Sequence, residues 1–241
     1  MMHPTRRIMI AVAVTAALCA AGAGCRQKEA AEKAAAPPAA KQETSLASRL
    51  SAMKPASQID TLRTLVRADS ADAQLRFLAG NAYYSFASGL DASAANRTAY
   101  FDSATTSYKR AVAIDSTMSK AWVNLGLTYA DAGNRVKARA ALEKAIAVNP
   151  KDVLAYCHLG FLSHSAGDLS TAMDMYRQAL SIDPNSAQAH YNLGLAFAEA
   201  KIFNEALREW QIVIKLDPDS DLGKTASENV KIIQQYNSGK P

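Results

Sequence analysis

The sequence lacks most of the features that carry chemistry. Its 241 residues hold no Gly-rich phosphate loop, no H-E-x-x-H and no G-x-S-x-G, so three large reaction classes have no motif here. Cysteine is scarce. Cys19 and Cys25 stand near the N-terminus, and Cys157 is alone in the rest of the chain. A lone Cys builds no disulfide framework and reads as a small apolar residue. The histidines His3, His158, His164 and His190 do not converge either. Cys157 and His164 share a helix face, but they stand about 10 Å apart along a helix axis, which is awkward for one metal. No metal, no cofactor and no catalytic residue is expected, and the chain reads as a non-enzyme.

Charge of one sign is also lacking. The formal charge is +5, from 27 basic and 22 acidic residues. Setting aside Arg6, Arg7 and the four basic and three acidic residues of 26–44 leaves 21 basic and 19 acidic, a net of +2. Such a balance does not suggest a nucleic-acid surface, which needs a concentrated basic stripe. Aromatics are 7% and apolar residues 49%, an ordinary balance for an Ala-rich helical protein.

Long apolar runs are absent except for one. Ile8–Gly24 is uncharged throughout and follows the basic Met1–Arg7, the layout of a secretory signal peptide at the lower limit for a spanning helix. Residues 26–44 are Ala, Lys, Glu, Gln and Pro, with no large apolar side chain before Leu46. Such a segment cannot bury enough surface to offset its lost entropy, and it reads as a disordered tether.

What the sequence does have is a period. Pro150, Pro184 and Pro218 recur at one fixed interval, each after Asn149, Asp183 or Asp217. Leu125-Gly126, Leu159-Gly160 and Leu193-Gly194 keep the same interval, as do Ala138, Ala172 and Ala206. A period of about 34 residues marks a stacked helical repeat. Small residues let two antiparallel helices approach. Gly126 and Ala138 are expected to face each other inside one hairpin, Gly133 to end a helix and Pro150 to stop the next.

These residues resemble the tetratricopeptide repeat family. Its W-x-x-L-G-x-x-Y pattern is present as Trp122, Leu125, Gly126 and Tyr129, followed by Gly133, Ala138, Leu142, Ala145 and Pro150. Tyr156, Leu159, Gly160, Gly167, Ala172, Tyr176, Ala179 and Pro184 form a second repeat. His190, Leu193, Gly194, Phe197, Ala206, Trp210, Val213 and Pro218 form a third. Two departures are Ser163 at an aromatic position and Lys201 at the turn Gly. The resemblance implies an all-α fold: a right-handed α-solenoid of stacked antiparallel helix pairs with a C-terminal capping helix.

The expected organisation is a signal peptide at 1–24, a tether at 25–44 and an N-terminal helical segment at 45–72. A degenerate repeat with a 12-residue insertion follows at 73–118, then repeats at 119–152, 153–186 and 187–220, and a capping helix and tail at 221–241. The insertion rests on Asp69-Ser70 and Asp115-Ser116, which resemble the Asp-Pro junctions but stand further apart than one repeat. It falls near 85–96, either as a surface loop at one edge or as a longer second helix. In the cap, Leu222, Ala226, Val230 and Ile233 form the inner stripe, and Lys224, Ser227, Lys231 and Gln234 face outward.

The family lines its groove with the second, fifth, ninth, twelfth and thirteenth positions of each repeat. Carried onto this chain, the resemblance implies a partner-binding groove of Phe77, Asn81, Tyr84, Val123, Leu127, Cys157, Phe161, His164, Tyr191 and Leu195. The row is apolar or aromatic but for Asn81, which suits an apolar helix or extended segment and not a terminal carboxylate. Filling of this row from within the chain and a second copy across it stay open as alternatives. Gly22-Ala23-Gly24-Cys25 also resembles a bacterial lipoprotein signal, with lipidation at Cys25, although Gly22 stands where that family usually has Leu. Cleavage after Ala23 and an uncleaved anchor remain alternatives. The resulting expectation is a scaffold or adaptor of a bacterial cell envelope, lipid-anchored to the outer membrane and facing the periplasm. A soluble periplasmic or secreted form and an inner-membrane anchor are the alternatives. The partner is a protein or peptide and not nucleic acid. Alternatives for the function are a self-assembling homo-oligomer and an accessory subunit of an envelope enzyme or of a secretion or pilus complex.

Overall fold

The computed structural model describes residues 46–91 and 93–238. The signal peptide, the tether, Cys25 and the last three residues lie outside the described residues. Eleven helices and no strand occur among those described: α1 Leu46–Ser51, α2 Pro55–Ala68, α3 Ala73–Ser88, α4 Arg97–Ile114, α5 Ser119–Asp131, α6 Arg135–Val148, α7 Val153–Ser165, α8 Leu169–Ile182, α9 Ala187–Glu199, α10 Phe203–Leu216 and α11 Asp221–Asn237. They form two compact modules that divide at Ile114/Asp115.

In the C-terminal module, α5–α6, α7–α8 and α9–α10 pack as antiparallel pairs. Successive pairs stack through α6–α7 and α8–α9, and α11 closes the end against α10. This is a right-handed α-solenoid. The pairing is set by size. A Cβ added to Gly126, Gly160 or Gly194 would come within 2.7, 2.5 and 2.6 Å of Leu142, Tyr176 and Trp210 on the partner helix. The expected Gly126–Ala138 contact is made through the Ala138 carbonyl, with the Leu142 side chain as the main occupant. Ala138, Ala172 and Ala206 are fully buried at the same crossings. Val123, Leu142, Ala155 and Leu159 fill the first seam between repeats, and Cys157, Ala179 and Ala189 the second.

The helix ends repeat as faithfully as the core. Gly133 and Gly167 adopt φ of 74° and 81°. The N–H of the residue after each donates back to Tyr129 or Ser163, closing the last turn of α5 and α7. Lys201 holds the same place after α9 with φ 60°, and Ile202 N–H donates to the Phe197 carbonyl in the same way. Asn149, Asp183 and Asp217 end α6, α8 and α10. Their carboxylate or amide oxygens accept from Lys151, Asn185 and Ser220 N–H. The Asn or Asp before each Pro therefore closes the turn after a helix and does not cap the next one. That role falls to Asp152, Ser186 and Ser220. Asp69 and Asp115 make the same turn contacts with Ala71 and Thr117, as their likeness to the Asp-Pro junctions implies.

The N-terminal module is the hairpin α3–α4 with α2 against α3. Tyr108 fills the notch at Gly80, where a Cβ would lie 2.5 Å away. The helical segment expected at 45–72 consists of two helices. Pro55 has no N–H for a preceding turn and forces Lys54 to extended geometry, so α1 stops and α2 starts with Pro in its first turn. The stretch where the insertion is expected, near 85–96, takes in the end of α3 and the connection to α4. α3 has 16 residues and α4 has 18, against 13 and 14 in the α5–α6 hairpin, and the connection runs over 89–96. Both helices of this hairpin are therefore longer than their counterparts.

The cap matches its expected pattern with one addition. Ala226 and Ile233 are buried, Leu222 and Val230 pack beside them, and Lys224, Lys231 and Gln234 are exposed, while Ser227 is half-buried. Asn229 is also buried on the inner stripe, where its amide donates to the Tyr191 hydroxyl at 3.4 Å.

The left-handed Lys201 carries a strain that Gly would relieve. Lys201→Gly is expected to raise unfolding stability by about 1 kcal/mol, seen as a higher urea midpoint at unchanged slope. An unchanged or lower midpoint contradicts this assignment.

Candidate partner-binding face

The ten groove residues fall into three groups. Phe77, Asn81 and Tyr84 belong to the N-terminal module, where all are half-buried and engaged with α4. Phe77 packs on Tyr108, Asn81 Oδ1 accepts from the Tyr108 hydroxyl at 2.8 Å, and Tyr84 meets Phe101 edge-on.

Val123, Cys157, His164, Tyr191 and Leu195 are buried in the C-terminal module. This corrects the expectation that the whole row is open. Val123 and Cys157 are consumed by the seams between repeats. Tyr191 and Leu195 belong to the cluster that α11 completes, with the Tyr191 ring beside Trp210 and its hydroxyl on Asn229. His164 Nε2 lies 3.1 Å from a Glu199 carboxylate oxygen, off the direction of a good hydrogen bond. Filling from within the chain, one of the alternatives left open, accounts for these five. A charge placed at Leu195 would be forced into the core, so it cannot probe the groove.

Leu127 on α5 and Phe161 on α7 remain half-buried, one repeat apart. Together with Ala130, Leu162, Gly126 and Leu142 they line a notch of about 30 Å³, with Asp131 and His158 at its walls. That is roughly the volume of one water in the liquid and far below a small-molecule pocket. The notch admits the tip of a side chain. Burial pushes the His158 imidazole down to about 4, against the opposing pull of Asp152. It is therefore neutral at pH 7 and adds no charge to the notch.

Leu154 extends the same strip. It lies two helical turns before Phe161 and is 48% exposed. It stands at the second position of its repeat, which the family's groove pattern includes. Ser163, out of place for the family, is buried and accepts a hydrogen bond from Arg139 at 3.1 Å, which satisfies the hydroxyl that replaces an aromatic ring.

His190 replaces the Trp or Tyr of the other repeats. Its Nδ1 lies 2.6 Å from a Glu209 carboxylate oxygen and its Nε2 2.9 Å from the Pro184 carbonyl. Both ring nitrogens face acceptors, so the doubly protonated ring is the one that both contacts favour. The hydrogen bond to Glu209 raises the His190 pKa above its usual value, partly opposed by burial and helped by Pro184 and by the Glu209 and Asp183 charges.

Antiparallel helix pairs stacked seam on seam, with an open strip along one face, define a helical-repeat protein built for contact with other polypeptides. Family profiles described as tetratricopeptide repeat match residues 119–152 and 188–220, and one described as TPR repeat matches 163–201. Residues 119–152 and 163–220 therefore carry tetratricopeptide repeats. Proteins with such repeats are typically non-catalytic, and a protein–protein interaction scaffold is the class of function this fold carries.

Solved structures share the fold. A crystal structure of MamA protein aligns with TM-score 0.55 at 24% identity, covering 68% of this chain and 82% of that one. YrrB, described as a TPR protein with an unusual peptide-binding site, aligns at 0.52 and 21%, covering 72% and 84%. TTC0263, a thermophilic TPR protein of Thermus thermophilus, aligns at 0.58 and 14%, covering 75% and 91%. No curated protein matches the chain.

A raised histidine pKa stabilises the fold below the unfolded value of about 6.5, and the gain is lost as pH rises through the folded value. The stability advantage of wild type over Glu209→Gln is therefore expected to be largest near pH 6 and to shrink toward pH 9, measured by thermal unfolding. An advantage that grows with pH contradicts the assignment.

Proposed function

We propose that this chain is a non-catalytic adaptor of a bacterial cell envelope that docks an apolar segment of a protein partner on the strip formed by Leu127, Leu154 and Phe161. The observation that carries the reading is selective exposure. Most of the implied groove row of the C-terminal module is consumed by packing, while Leu127 and Phe161 stay partly open at a notch of side-chain size and Leu154 is exposed two turns before Phe161. An amphipathic helix or extended peptide offers such anchors at matching intervals. Affinity then rests on a few side chains and not on area. Lipidation at Cys25, with residues 26–44 as a tether, would hold this face near a membrane while leaving it reach.

Selection from a displayed peptide library on the full chain tests the face. Enriched peptides are expected to carry two or three large apolar residues and to bind Leu127→Glu/Phe161→Glu roughly tenfold or more weakly, with the helical circular dichroism unchanged. Selected peptides that bind the variant at full strength overturn the assignment. For the anchor, labelled palmitate supplied to a bacterial host is expected in the wild-type chain and not in Cys25→Ser. A wild-type chain without label removes the lipid anchor from the account.

A further inference from the structure

The N-terminal module holds a second feature that the repeat pattern does not use. Arg63 and Arg67 on α2, Arg76 in the first turn of α3 and Arg110 near the end of α4 line one open cleft of about 370 Å³. Val66, Ser70, Ala79, Tyr83 and Ser107 complete its walls, and no carboxylate lines it. Its volume is within the range of small-ligand sites and is large beside the notch at Leu127.

The charge there is local. Outside residues 1–44 the chain is nearly balanced, yet four Arg side chains line this one cleft. Arg63 and Arg67 sit four apart on one helix face, a like-charge pair that opposes helix formation. Their neutralisation within the chain is slight. Arg63 reaches Asp60 at 3.4 Å, a pair that is well exposed on both sides. Arg76 donates only long hydrogen bonds, 3.4 Å, to the Ser70 carbonyl. Tyr83 stands in the same lining, where its phenol is a further possible donor. Arg67 and Arg110 are exposed.

We infer that this cleft binds a compact phosphate-bearing ligand, a diphosphate or a phosphomonoester, taken from solution or presented by a lipid headgroup. Arginine forks match phosphate oxygens two at a time, and every cationic residue of the lining is Arg, with no Lys. A monocarboxylate would cancel one charge of four. A diphosphate carries more negative charge and enough oxygens to engage several guanidinium groups at once. A single cleft is not the extended basic track that a nucleic acid backbone requires. The site also lies apart from the family's groove row. Arg76, Ala79 and Tyr83 fall at the fourth, seventh and eleventh positions of the repeat that begins at 73, and the other cleft residues come from α2, the 69–72 turn and α4.

The test is calorimetric titration of the full chain with inorganic pyrophosphate at fixed, low ionic strength, beside Arg67→Gln/Arg110→Gln. Both substituted side chains are exposed, and thermal unfolding checks that the fold is kept. Parallel arms use citrate, and flotation with phosphatidylcholine vesicles with and without phosphatidate. The expected result is saturable 1:1 binding of pyrophosphate, weakened about tenfold or more in the double variant, with citrate weaker. Flotation that requires phosphatidate and is lost in the variant, without binding of pyrophosphate, supports the lipid source. Undiminished binding by the variant, tighter binding of citrate, or no binding of either pyrophosphate or phosphatidate vesicles overturns the inference.

Discussion

The structure depends on a steric match inside each helix pair. Gly80, Gly126, Gly160 and Gly194 leave notches that receive Tyr108, Leu142, Tyr176 and Trp210 from the facing helix. At these distances even one methyl group would have to displace a packed ring or a leucine, because protein interiors have no slack of that size. The match sets the register of each hairpin, and register decides which residues face the next repeat. Once the seams and the cap have taken Val123, Cys157, Tyr191 and Leu195, the strip at Leu127, Leu154 and Phe161 is what remains of the C-terminal module's row with large apolar side chains partly open.

Polar groups are placed to serve that packing. Left-handed turns after α5, α7 and α9, and turns closed by Asn or Asp after α6, α8 and α10, satisfy backbone groups at successive hairpin ends. His190 and Ser163 depart from the family's aromatic positions, and each has found a hydrogen-bonding partner, Glu209 with the Pro184 carbonyl for the first and Arg139 for the second. The arginine cleft of the N-terminal module is different in kind. Its charges are gathered without matching acids in its lining, which packing alone does not call for.

Periodic features were legible in the sequence because they repeat. The fixed interval between the prolines marks out the helix pairs, the notches and the two turn glycines, and the apolar stripe of α11 follows from helical spacing. Features that depend on what lies opposite were not legible. Tyr191 and Leu195 read as groove residues because their repeat positions say so, and only the seating of α11 over them shows that they are core. Pro55 is visible in the sequence, yet the segment at 45–72 was expected only as helical, and its division into two helices before that Pro was not read. The arginine cleft draws on residues from 63 to 110, and each Arg alone reads as a solvated side chain. The pair Arg63 and Arg67, like charges one turn apart, was the available signal.

The central claim is that the notch and its occupant act as one constraint. A double-mutant cycle on Gly160 and Tyr176 tests it most directly, with unfolding free energies for Gly160→Ala, Tyr176→Ala and the pair. The account predicts that Gly160→Ala costs on the order of 1–3 kcal/mol when Tyr176 is present. With Tyr176 shortened the same change should cost at least about 1 kcal/mol less, a clear coupling between neighbours. Additive effects would contradict it, because the methyl group at 160 would then be felt equally with or without the ring it is said to meet.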